Sequence, residues 1–319
     1  MRKLQLAVVV AVILLLSWSA RAQQEAQFSQ YMFNTLFYNP GFAGVEGVTK
    51  ITAIHRTQWA GFNTTFDGSG GNPNTQLVSF TTPILKFRSG FGLYVLNDKL
   101  GPLTNQEAQI SYAYQVGLRD AKLSFGVKAG IFSQAIDRDE YRPNVRPDPL
   151  IDNGEDSQVR PDLGFGIYYR AEKYYAGVSV SHIIESEFDF GLAESRNALE
   201  QNLTLTAGYD YDFSYKLVLT PSFLVKTDFN SYSFDLSVLG TYNEKMWGGL
   251  SFRQSEAFIL LLGYSLLKDN SLRVGYSVDL IVSGRDAKET TSHEIMLSYT
   301  LPAVTAGGRK IIRTPRFRH

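Results

Sequence analysis

The sequence predicts an all-β protein: a transmembrane antiparallel up-and-down β-barrel of about 14 strands, with short periplasmic turns and long outer loops. Three observations carry this. The chain opens with an export signal. It holds 21 Phe, 18 Tyr and 27 Gly, yet no later stretch is long and apolar enough for a membrane helix. From Lys50 onward, short runs place apolar residues at every second position, separated by connections that fall into a short and a long set.

The first element is the signal. Arg2 and Lys3 precede an apolar run from Leu6 to Leu16, and Ala20, Arg21 and Ala22 form the small-x-small pattern of a cleavage site. The run is too short to span a bilayer, so cleavage after Ala22 is expected, leaving Gln23 first. The 31 Lys and Arg balance 31 Asp and Glu; losing Arg2, Lys3 and Arg21 leaves 28 basic residues and a mature charge of −3. That gives no indication of a nucleic-acid partner. With no Cys, a disulfide framework, a thiolate metal site and a lipidated cysteine are excluded. The expected organisation is a signal peptide at 1–22, a periplasmic or lumenal segment at 23–47, an outer-membrane barrel at 48–301 and a basic periplasmic tail at 302–319.

The strands are expected at Val48 to Trp59, Thr75 to Thr82, Ser89 to Asn97, Gln106 to Gln115, Leu123 to Gln134, Pro161 to Arg170 and Lys173 to Ile183. The second half follows at Gln201 to Phe213, Leu217 to Thr227, Ser231 to Tyr242, Met246 to Arg253, Phe258 to Leu267, Ser271 to Leu280 and Ser292 to Leu301. In the fifth, Leu123, Phe125, Val127, Ala129 and Ile131 share one face, and Ser124, Gly126, Lys128 and Gly130 the other. In the tenth, Phe234, Leu236 and Val238 oppose Asp235 and Ser237. A lipid face and a wet lumenal face produce this alternation, though a soluble sandwich would too.

Connection lengths separate the two. Every connection after an even-numbered strand is short, whereas the long ones, Ala60 to Asn74, Asp98 to Asn105, Ala135 to Arg160, Ile184 to Glu200 and Ile281 to Thr291, all follow odd-numbered strands. One short and one long rim put both chain ends in the periplasm. Tyr168, Tyr169, Tyr174, Tyr175, Tyr211, Phe213, Tyr215, Tyr242 and Trp247 flank the short turns and suggest an aromatic girdle. Pro221 inside a strand cannot donate to the ladder, so a bulge or a late strand start is expected there.

Several segments now in view resemble one family. Gln27-Phe28-Ser29-Gln30-Tyr31-Met32-Phe33-Asn34 and Tyr38-Asn39-Pro40-Gly41-Phe42-Ala43-Gly44 are similar to the opening of the PorP/SprF family of type IX secretion system membrane proteins. Arg56-Thr57-Gln58-Trp59, Pro161 to Gly166, Pro221 to Lys226, Trp247 to Arg253 and Ser292 to Ile295 continue the resemblance over nearly the whole mature chain. It implies a Bacteroidetes outer-membrane barrel whose partners are type IX secretion components and an exported surface protein, in some cases a gliding adhesin.

No catalytic constellation stands out. His55, His182, His293 and His319 are isolated, without metal-site spacing. Ser181-His182 and Ser292-His293 could suggest a barrel-wall hydrolase, but adjacent strand residues face opposite ways, which leaves only a cross-strand pairing. Gly68-Ser69-Gly70-Gly71 lacks the strand and helix of a phosphate cradle. Asp148, Asp152, Glu155 and Asp156 could hold Ca²⁺, but Arg138, Arg142, Arg146 and Arg160 are interleaved, which favours a solvated loop. No cofactor or metal is expected.

The candidate partner-binding residues lie at the two ends. Gln30, Tyr31, Met32, Phe33, Phe37, Tyr38, Asn39 and Pro40 form a segment too apolar to leave in water, expected to pack in the lumen or on a partner at the periplasmic mouth. Arg309, Lys310, Arg313, Arg316 and Arg318 form a tail without acids, either a disordered end or a docking segment. The expected function is non-enzymatic, holding or positioning an exported cell-surface protein; the alternative is a passive diffusion channel.

Overall fold

The computed structural model describes residues 25–62, 72–138, 154–190, 197–267, 269–284 and 288–302. In chain order the strands are β1 (Lys50–Thr57), β2 (Asn74–Ile84), β3 (Ser89–Leu100), β4 (Leu103–Leu118), β5 (Ala121–Asp137), β6 (Glu155–Ala171), β7 (Tyr174–Ser181), β8 (Glu187–Phe188), β9 (Asn197–Ala198), β10 (Asn202–Tyr209), β11 (Tyr211–Ser214), β12 (Leu217–Thr227), β13 (Tyr232–Tyr242), β14 (Met246–Arg253), β15 (Ala257–Leu266), β16 (Leu272–Ile281) and β17 (Thr291–Thr300). Neighbours pair antiparallel, β1 pairs with β17, and β10 pairs with both β7 and β12, which closes the wall. Because β10 and β11 are two pieces of one stave and β8–β9 is a separate small hairpin, the barrel has 14 staves.

Alternation decides which way each side chain points. On β5, Phe125, Val127 and Ile131 are exposed while Ser124, Gly126 and Lys128 are buried; on β13, Leu236 and Val238 are exposed and Ser237 is buried. An apolar outside with a small and polar inside is the inverse of a soluble core, as a lipid solvent requires. The inside is filled by the chain itself. Residues 25–45 run through the lumen and form the core with the wall, as three short helical turns at Tyr31–Phe33, Thr35–Tyr38 and Pro40–Phe42.

Four expectations need correction. Asp98 to Asn105 is no loop: β3 and β4 stay paired to Leu100 and Leu103, and Gly101, with φ +65°, makes the turn. Likewise β5 and β6 run on as far as Asp137 and Glu155. These strand ends are polar because they extend past the apolar band, so their sequence reads as loop.

Pro221 neither bulges nor delays β12, which keeps its register with β13 through Pro221↔Val238. The interruption falls on the other neighbour. The ladder to β10 ends at Gly208↔Ser222 and resumes with β11 at Tyr211↔Leu219, so the missing donor splits that stave at Asp210. A register shift follows between Asp212 and Ser214.

The girdle is smaller than expected. Tyr174, Tyr211, Phe213, Tyr215 and Tyr242 face outward, but Tyr168 and Trp247 are buried, Tyr168 on Phe42 and Trp247 on Phe33. Strand phase, not distance from a turn, sets their direction. Finally, Ser181 and His182 do not face opposite ways: β7 ends at Ser181, His182 takes φ +58°, and both are buried.

Candidate functional site: the plugged lumen

The plug enters at the long-loop end and leaves at the short-turn end, so Glu25 lies at the rim opposite Leu301, against the expectation that both chain ends sit on the short-turn side. At the top, Glu25 lies 3.8 Å from Lys226 at the end of β12. Below it, the Ser29 hydroxyl donates to Asp279 at 2.7 Å and accepts from Arg56 at 2.5 Å. Glu294 accepts the backbone amides of Ser29 at 2.7 Å and Gln30 at 2.9 Å, and Arg253 donates to the Phe28 carbonyl at 2.8 Å. Arg56–Asp279 (2.7 Å) and Arg253–Asp235 (2.9 Å) are themselves ion pairs inside the wall. Buried charges are costly unless paired and hydrogen-bonded, so this cluster favours one placement of the plug.

An apolar layer follows. Phe28 and Phe37 meet edge-on at 5.3 Å, Phe37 meets Tyr94 of β3 at 5.3 Å, and Phe33 packs on Trp247 of β14 at 5.4 Å. Burying each large ring contributes about 1.5–3 kcal/mol. The Tyr31 hydroxyl, which would otherwise be stranded here, shares a hydrogen bond with Ser222 at 2.9 Å.

In the lower half the plug backbone lies close against the wall backbone, and the hydrogen bonds run between side chain and backbone. The Asn39 amide donates to the carbonyls of Ile167 (3.0 Å) and Val178 (3.2 Å), its oxygen accepts from Gly41 N at 2.8 Å, and Ser179 donates to the Tyr38 carbonyl at 2.6 Å. Such close approach needs glycine in the wall. A Cβ on Gly126 would lie 2.3 Å from Gly41 N, and one on Gly90 would lie 2.0 Å from the Ala43 carbonyl oxygen. At the exit, Thr81 accepts from Gly44 N at 2.8 Å.

Thus Gln30, Tyr31, Phe37, Tyr38, Asn39 and Pro40 are buried in the lumen, and Met32 and Phe33 are half-buried there. Arg309, Lys310, Arg313, Arg316 and Arg318 lie outside the described residues, as do His319, Gly68 to Gly71, Asp148 and Asp152. Glu155 and Asp156 begin β6, and Asp156 pairs with Arg138 at 3.4 Å. His55 and His293 sit on the outer face, against Thr57 (3.2 Å) and Tyr276 (2.8 Å). His182 Nδ1 lies 3.1 Å from Asp162, and its ring stands edge-on to Phe132.

The geometry therefore gives a lipid-faced closed barrel filled by its own N-terminal segment. The sequence profile described as type IX secretion system membrane protein PorP/SprF matches residues 20–299. The chain belongs to the PorP/SprF family. No curated protein is similar enough to match. Among solved structures, the toluene transporter TbuX of Ralstonia pickettii is 11% identical, with a TM-score of 0.50 over 83% of this chain and 92% of that one. A FadL homologue of Pseudomonas aeruginosa is 13% identical, with a TM-score of 0.48 over 79% and 89%. Outer membrane protein Omp33 of Acinetobacter baumannii is 5% identical, with a TM-score of 0.46 over 80% and 98%. At these identities the likeness to TbuX concerns the fold alone. A type IX secretion association and an outer-membrane barrel follow for this PorP/SprF member.

Sequence reasoning singled out the plug but missed its sockets. Glu294, Arg253 and Asp279 read as ordinary inward strand positions. Wall glycines at inward positions were the available signal, since an empty wet lumen has no need of Gly90 or Gly126.

Proposed function

We propose that this PorP/SprF barrel holds or positions an exported cell-surface protein at the outer membrane, as a non-enzymatic partner of type IX secretion components. The supporting observation is the lumen filled by residues 25–45 and pinned through Glu294, Arg253 and Asn39, which suits a closed anchor better than a diffusion channel. The reading includes signal cleavage near Ala22, long loops on the cell surface, and the basic tail from Arg309 in the periplasm beside the plug's exit. Catalysis plays no part in it. Among the described residues, the one buried His–Asp pair, His182 with Asp162, lies beside Phe132, which packs with Phe188 and Leu199 into an apolar cover.

The test uses two variants in cells: deletion of Gln27 to Tyr38, and neutralisation of Arg309, Lys310, Arg313, Arg316 and Arg318. Each should leave a heat-modifiable barrel in the outer membrane and lower surface display of the exported protein. Unchanged display in both would overturn the reading; loss of the barrel would make these segments structural only.

A further inference from the structure

We propose that the overhanging edge of β6, from Glu155 to Pro161, is a strand-addition site that pairs with an extended segment of the exported protein. This deepens the function proposed above and rests on it.

The overhang comes from unequal strand lengths. β6 pairs with β5 along its whole length, from Asp137↔Glu155 to Ala121↔Ala171. On its other side it pairs with β7 only from Phe165↔Val180 to Arg170↔Tyr175, and β7 stops at Ser181. The edge of β6 above Phe165 thus has no ladder neighbour among the described residues.

Backbone phase says which groups are left over. In an antiparallel pair, alternate residues point both N–H and C=O to the same side. The Leu163 carbonyl accepts Ile183 N at 3.0 Å and the Pro161 carbonyl accepts the Ser186 hydroxyl at 3.0 Å, so odd-numbered residues face away from β5. The Ser157 and Val159 amides therefore point off the edge, and no described group accepts from them. Pro161 fits the same phase: it has no N–H to lose where β5 needs none.

Beyond Ile183, the described part of the connection after β7 passes this edge without a backbone ladder to it. Side chains hold it instead: Arg160 Nε donates to the Glu187 carbonyl at 2.9 Å, and Gln158 Oε1 accepts from Asp189 N at 3.1 Å. Gln158 and Arg160 are even-numbered and lumen-facing, and Phe188 is buried against Phe132 inside, so the described part of the connection turns inward and, among the described residues, nothing pairs with Ser157 or Val159 along this edge.

Height relative to the lipid selects the occupant. The run of large apolar residues on the outer face of β5 ends at Ile131, which pairs with Pro161, and Ser133, Ala135 and Asp137 follow on that face. Unpaired amides within lipid would be untenable, whereas above it they form a template for an incoming strand. Exposed Val159 offers that strand an apolar neighbour on the outer face. An extended backbone is the chemistry that satisfies these groups, and on a surface-holding protein the exported partner supplies it.

The experiment compares barrel alone with barrel co-isolated with its surface protein from native outer membrane, reading amide exchange at Ser157 and Val159. We expect at least roughly tenfold slower exchange at both in the complex. Val159→Pro, which removes one donor without touching the β5 ladder, should cut co-isolation of the surface protein by about tenfold, while Val159→Thr leaves it intact. Full co-isolation with Val159→Pro, or equally fast exchange in both samples, would overturn the edge site and leave the proposed function standing. Slow exchange in the barrel alone would show the edge covered by the chain itself or by a second copy, and would overturn it too. Absence of any exported protein from the wild-type isolate would instead sink the function reading.

Discussion

The carboxylate of Glu294 accepts the backbone amide of Ser29 at 2.7 Å, so a wall strand holds the main chain of the plug rather than one of its side chains. The same carboxylate takes the Gln30 amide at 2.9 Å and lies 3.6 Å from Arg56. Glu294→Ala should therefore strand two buried amides, at about 1–3 kcal/mol each. Urea unfolding of the detergent-solubilised barrel should shift accordingly, with faster amide exchange at Ser29 and Gln30. An unshifted transition would mean the plug is held elsewhere.

Close approach in the lower lumen makes a second prediction. Gly126→Val should displace the plug near Pro40 and Gly41 and expose residues 38–45 to protease, with the barrel still heat-modifiable. Gly240→Ala, whose new Cβ meets nothing nearer than 3.5 Å, serves as the control and should change neither.

The two wall faces should fail for different reasons. Leu236→Arg should cost about 2–4 kcal/mol near the bilayer midplane. A wet lumen would tolerate Ser237→Arg, but Ser237 is buried and hydrogen-bonded to Ser251, so this substitution should also destabilise. Deleting Gln27 to Tyr38 should relieve Ser237→Arg and leave Leu236→Arg unchanged, measured by folding yield into vesicles. Relief of both would argue against a lipid-facing Leu236.

Sidedness is open to labelling because the chain has no native cysteine. A single cysteine at Asp152 should react with an impermeant maleimide on whole cells, and one at Asn243 only after the outer membrane is ruptured. Labelling of Asn243 on intact cells would reverse the orientation.

The wall was legible in the sequence, and so was the segment that fills it, but the sockets that hold that segment were not. Alternation located β12 and β14 to the residue, since Leu217 to Thr227 and Met246 to Arg253 each bury one face. It missed the β3–β4 turn, because Asp98 and Asn105 lie where lipid no longer imposes a pattern. Pro221 was visible as a break, but which neighbour would break depended on strand order. Trp247 and Tyr168 were assigned to the girdle by position, whereas phase turns them onto Phe33 and Phe42. For residues 25–45 no period exists to read, because the segment is shaped by the cavity around it. Only long-range partners such as Arg253 with Phe28 fix its course.

The most direct measurement is planar-bilayer conductance of the purified barrel, full length and with Gln27 to Tyr38 deleted. A plug pinned at Ser29, Gln30 and Asn39 predicts a nearly silent full-length protein and a deletion variant with large, stable open events. Equal, large conductance from both would contradict a closed lumen and restore the diffusion channel.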